Sequence, residues 1–146
     1  MFKSSRQQQR FLLLIAFIIV GYAASHFDPE KAVQDPNPST VQTAFEQQRS
    51  DVQVEVNGVV IKLLADDDHG TRHQKFIVKA ESGLTLLVAH SIDLAPRIKH
   101  LRQGDRIRLF GEYEWSQKGG VLHWTHHDPN GRHIGGWIDY QGKRYQ

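Results

Sequence analysis

From Asp51 onward the chain alternates. Val52, Val54 and Val56 are separated by Gln53, Glu55 and Asn57, and the run continues apolar through "GVVIKLLA". Period two over this length predicts a half-buried strand, and Asn57-Gly58 inside it predicts a bulge or bend. "DDDHGTR" breaks the pattern as a polar turn. "HQKFIVKAE" and "LTLLVAHSI" follow as two strands joined at Ser82-Gly83, a hairpin signal. "DLAPRIKHLRQGD" predicts a loop with a short helix closed by Gly104. "RIRLFGEYEW" and "VLHWTHH" are strands joined through "SQKGG", and "GGWIDYQGKRYQ" turns a small terminal hairpin at Gln141-Gly142. Before these strands, "STVQTAFEQQRS" puts Val41, Ala44 and Phe45 on one side of a helix of about three turns, with Ser39 as its cap.

That order predicts a mostly β domain: an OB-like five-stranded antiparallel barrel with a short leading helix and a helical connection between strands three and four. The competing arrangement is an open antiparallel sheet packed by one helix. Residues 39–146 form this domain. Residues 26–38, "HFDPEKAVQDPNP", are a linker because three prolines oppose a packed element. Residues 1–25 are of another kind. Lys3, Arg6 and Arg10 precede the 14-residue apolar run Phe11–Ala24, with Ala23 and Ser25 as the small residues of a cleavage site. This is the layout of a secretory signal; an uncleaved anchor through residues 11–24 is the alternative. Both readings bring the N-terminus to the membrane and send the rest into the periplasm.

Export changes the charge. The formal net charge is +2, but without Lys3, Arg6 and Arg10 there remain 15 basic against 16 acidic residues, a net of −1. Bulk attraction to nucleic acid is therefore unsupported. Arg97, Lys99, Arg102, Arg106 and Arg108 still cluster locally. No cysteine is present, which excludes disulfides, thiolate ligands and lipidation through sulfur.

The densest chemistry is "HWTHHDPNGRH", His123 to His133. A two-residue turn at Lys118-Gly119 sets Glu114 opposite His123 and Glu112 opposite Thr125, with Tyr113, Trp115 and Trp124 on the core face. Glu112, Glu114 and His123 are the candidates for acid/base work. The turn chemistry of Pro129-Asn130-Gly131 brings His133 back toward His126, His127 and Asp128, a donor set suited to zinc or another divalent ion. A polar strand end with no ion is the plainer account of the same residues. At the other end of the barrel, Asp66, His73 and His90 with Arg97 and Arg108 form a candidate ligand-binding rim. On this reading "SQKGG" shares their rim, and His127 and Asp128 lie opposite.

The stretches "DDDHGTRHQKFIV", "AHSIDLAPRI", "GEYEWSQKGGVLHWTHHDPNGRH" and "GWIDYQGKRYQ" resemble the exported bacterial family known as domain of unknown function 3465. The resemblance runs from about Val41 to Gln146. It implies a compact β domain with an exported N-terminus in Gram-negative bacteria, and no assigned activity, substrate or catalytic residue. Ser91 stands where the family leads one to expect asparagine. Three functions stay open: a non-enzymatic module binding a polar or anionic ligand, such as an anionic oligomer; a metal-dependent hydrolase of phosphodiester type; and a structural or pH-responsive partner of another envelope protein.

Overall fold

The computed structural model describes residues 40–146. The expected signal or anchor, the linker and the Ser39 cap lie outside them. Among the described residues no helix is long and apolar enough to cross a membrane.

The leading helix α1 is Val41–Glu46, shorter than the expected three turns. Thr40 caps it, accepting a hydrogen bond from the Thr43 amide, and Gln48 ends it with a positive φ of 53°. Val41 and Ala44 are buried and Phe45 packs against the core. Seven strands follow: β1 Val52–Leu63, β2 His73–Ala80, β3 Thr85–Ser91, β4 Arg106–Glu114, β5 Val121–His123, β6 Trp137–Tyr140 and β7 Lys143–Tyr145. The first five close into a barrel, β1-β2-β3-β5-β4 and back to β1. β6 extends β4 outward, and β7 pairs with β6 as the terminal hairpin.

Closure depends on β1 being shared. Val52–Val59 pair with β4 and Gly58–Leu63 pair with β2. Gly58 is the crossing point, where a Cβ would sit 2.5 Å from the Lys79 carbonyl oxygen. The bulge falls a little later, between Val60 and Lys62. Inward residues Val54, Val60, Phe76, Val78, Leu86, Leu109, Tyr113 and Leu122 fill the interior.

Three expectations need correction. The barrel is mixed, because β3 and β5 are parallel. The connection between β3 and β4 contains no helix. Ile98 and Leu101 are buried at helix-like spacing, but the backbone there bonds elsewhere. The Gln74 amide donates to the Ile98 carbonyl at 3.1 Å and accepts from the Ile98 N–H at 2.9 Å. Pro96 has no N–H, and His100 and Gly104 have positive φ. Third, the β4–β5 register is two residues away from that expected: Glu112 pairs with His123, Tyr113 with Leu122 and Glu114 with Val121. The turn is wider than two residues. Ser116 accepts from the Gly119 amide at its carbonyl and from the Gly120 amide at its hydroxyl. Tyr113 donates its hydroxyl to the Gly119 carbonyl at 2.9 Å. A two-residue shift keeps parity, so over the paired residues 112–114 and 121–123 the faces stay as predicted while the partners change.

Candidate metal centre

The new register sets His123 directly beside Glu112 and diagonal to Glu114, all on the outer face of the barrel. One ligand atom from each of these three side chains lies within 4.8 Å of the other two. His123 Nε2 is 3.4 Å from Glu112 Oε1 and 3.7 Å from Glu114 Oε1. Donors held about 2.1 Å from a tetrahedral ion lie roughly 3.4 Å apart, so a zinc-sized ion needs little movement here. His123 Nε2 is shielded from solvent and has no hydrogen-bond partner among the described residues. Without an ion, two carboxylates converge on one unsatisfied imidazole nitrogen, an arrangement a divalent cation would relieve.

Glu112 is held from two sides. Gln53 on β1 donates to its Oε2 at 3.3 Å, and His133 Nε2 meets the same oxygen at 2.6 Å. His133 Nδ1 faces the Ile134 carbonyl oxygen at 2.8 Å. Both imidazole nitrogens therefore face acceptors, which suits the protonated ring. Burial opposes that charge, but the bond to Glu112, the Ile134 carbonyl and the nearby Glu112 and Asp128 charges outweigh it and raise the His133 pKa. His133 thus aims Glu112, as an outer partner aims a ligating carboxylate.

The loop that delivers His133 is built on Asp128. Its carboxylate accepts from the amides of Asn130 at 3.0 Å, Arg132 at 2.7 Å and His133 at 2.8 Å. The Asn130 amide foremost, with those of His133 and Arg132, keeps this carboxyl below its usual range against the cost of burial. Both oxygens are engaged in shaping the turn. His127 is exposed and His126 donates Nδ1–H to the His127 carbonyl. Of His126, His127, Asp128 and His133, only His133 reaches the cluster.

Trp124 is not a core residue. Its φ of 50° ends β5, and its ring stacks on His133 at 4.0 Å and lies 5.1 Å from His126. Tyr113 is in the core and Trp115 packs against it. Gly136 lets the returning chain pass close to the Trp124 and Phe110 carbonyls, where a Cβ would collide.

The two histidine regions meet at one rim. Because β5 runs parallel to β3, its end lies beside the end of β3 and the start of β2, while "SQKGG" approaches Thr85 at the other end. His73, Ser91, His123 and His126 consequently share the wall of one cavity of about 270 Å³. His90 points inward, fully buried. Its Nε2–H donates to the Pro96 carbonyl at 3.2 Å, and Nδ1 accepts from the Thr125 hydroxyl at 2.9 Å. Burial, partly offset by these bonds, pushes its pKa down to about 4.

Arg97 and Arg108, expected at the same rim, do not line this cavity and are paired elsewhere. Arg97 bonds Asp66, and Arg108 bonds Glu55 at 2.7 Å with Asp139 nearby. Gln53 escapes the sequence reading, although its polar parity in β1 is a usable signal; Ser91 is marked there only by the asparagine expected in its place, and its position in one cavity with His123 needs the parallel β3–β5 pair.

No curated protein and no solved structure matches the chain. A family model described as "Protein of unknown function (DUF3465)" matches residues 24–146, and the chain belongs to that family.

Proposed function

We propose that this domain binds a divalent metal ion of the zinc class, with Glu112, Glu114 and His123 as ligands and His133 orienting Glu112. The observation that carries the reading is the unpartnered His123 Nε2, shielded from solvent between two carboxylate oxygens at 3.4 and 3.7 Å. One imidazole and two carboxylates suit zinc or manganese better than copper(I) or an iron–sulfur cluster, which call for sulfur ligands.

Three protein ligands leave room for water, which is what separates hydrolytic from structural zinc sites. The reading therefore extends to metal-dependent hydrolysis, in which a bound ion would lower the pKa of water. The alternative of a cationic rim for an anionic oligomer is less well supported, because Arg97 and Arg108 already face Asp66, Glu55 and Asp139. The signal-like N-terminus supports work in the periplasm, where zinc supply and pH follow the surroundings.

The test is elemental analysis of untagged protein after dialysis against zinc. One equivalent is expected in the native protein and in His127→Ala, and little in Glu112→Gln or His123→Ala. A native protein that retains no metal, or variants that retain as much as the native, would sink the reading.

A further inference from the structure

A second cavity, of about 140 Å³, is walled by residues 97–101 of the connection between β3 and β4. None of Glu112, Glu114 and His123 lines it, so the metal reading does not use it. Gln74 fixes its wall, donating to the Ile98 carbonyl and accepting from the Ile98 N–H. Leu63, Leu64, Ile98 and Leu101 give it an apolar lining. Leu63 is 46% exposed, a large apolar side chain that the fold itself leaves uncovered.

The rest of the lining is basic. Lys75, Arg97, Lys99 and His100 contribute, and no carboxylate does. Two of the three fixed charges are answered from outside the lining. Arg97 bonds Asp66, and Lys75 Nζ lies 3.9 Å from Asp67. Lys99 is exposed and meets no carboxylate among the described residues. One positive charge is therefore left, which suits a monoanion. The backbone of the same turn adds donors. Gln74 takes the Ile98 N–H and Asp105 takes that of Arg102, but the amides between them, of Lys99, His100 and Leu101, have no acceptor among the described residues. His100 has a φ of 64°, and successive N–H groups beside a left-handed residue form a concavity that accepts an anion. The volume equals roughly five waters at ~30 Å³ each, room for a carboxylate and a few methylenes.

We propose that this cavity binds a short-chain fatty acid in its ionised form, with Lys99 and the amides of its turn holding the carboxylate and the chain lying against Leu63 and Leu101. The proposal stands apart from the metal reading, because the two sites share no residue. Zinc-loaded and metal-free protein should therefore bind the ligand equally.

The probe is hexanoate, titrated into isotope-labelled, metal-free protein and followed by amide NMR. Saturable shifts are expected at Lys99, His100 and Leu101 and at Leu63 and Leu64. Each buried methylene strengthens binding about fourfold, so acetate should bind at least tenfold more weakly. Hexylamine, with the same chain and the opposite charge, should leave these amides unmoved. Lys99→Gln should weaken hexanoate about fivefold while the urea midpoint stays that of the native protein, since the side chain is exposed. Shifts that do not saturate, or that scatter over the surface, would overturn the proposal. Equal affinity for acetate would remove the chain from it, and equal affinity for hexylamine or in Lys99→Gln would remove the carboxylate; either result overturns the assignment and leaves the metal reading untouched.

Discussion

Acidification should weaken this fold well before its carboxylates titrate, and His90 is the reason. The ring is fully buried, and it donates to the Pro96 carbonyl while accepting from Thr125. A proton on Nδ1 would put an uncompensated charge inside the barrel, with His126 and His73 close enough to add repulsion. The folded pKa falls from 6.5 to about 4. In the unfolded chain the ring keeps its ordinary value, so between those limits the unfolded state binds more protons and stability falls as pH falls. A tenfold difference in proton affinity between the two states is worth about 1.36 kcal/mol, which makes the full loss roughly 3 kcal/mol by pH 4. Between about pH 7.5 and pH 5 the loss is about 2 kcal/mol, before ordinary carboxylates contribute much. Urea unfolding should register it as a midpoint drop of roughly 1 M at an m-value of about 2 kcal/mol/M. His90→Gln keeps a donor and an acceptor but does not titrate, so its pH dependence over this window should be shallower by that amount. Subtracting the two curves cancels the other histidines. An NMR titration of the His90 ring in the native protein gives the same answer where the variant is too unstable to study. Parallel curves for native and variant, or a His90 ring that titrates near 6.5, would refute the argument.

Other consequences follow from the packing and the loop. Gly120→Ala should destabilise by about 1–3 kcal/mol in urea unfolding, because its φ is 102° and the new Cβ would strike the Tyr113 ring. Gln74→Ala should cost about 1–3 kcal/mol and raise amide exchange at Ile98, whose N–H it leaves without its acceptor. Asp128→Ala should lower zinc affinity about 10- to 100-fold without removing a ligand, because the amide bonds that deliver His133 to Glu112 are lost. Competition with a zinc-binding dye measures that, and an unchanged affinity would separate the loop from the site.

The strands and their faces were legible because parity is local. Val52, Val54 and Val56 reveal an inward face without knowledge of any partner, and Glu112, Glu114 and His123 reveal a wet one. Register was not legible, because parity is blind to a shift of two. Only the width of the turn decided it, through the Ser116 hydroxyl and the Tyr113–Gly119 bond. That shift makes Glu112, the carboxylate held by Gln53 and His133, the direct partner of His123 and leaves Glu114 diagonal to it. The connection between β3 and β4 was misread for a related reason. Ile98 and Leu101 have helical spacing, but Gln74, distant in sequence, claims the backbone that a helix would use. The rim assignment failed where the topology stops being local. Strict alternation along the chain runs β5 the same way as β3 and brings their ends to one rim; placing "SQKGG" beside the end of β3 required β4 to run with β3, whereas β4 is antiparallel to β1 and to β5. Ser91 and His123 then share a cavity that neither residue's sequence surroundings suggested. The site therefore depends on the two least local features of the fold, a turn width and a parallel pairing. Lengthening the Ser116–Gly120 turn by one residue would test this directly. Parity would reverse along β5, Leu122 and His123 would exchange faces, and zinc binding should vanish together with the cooperative fold.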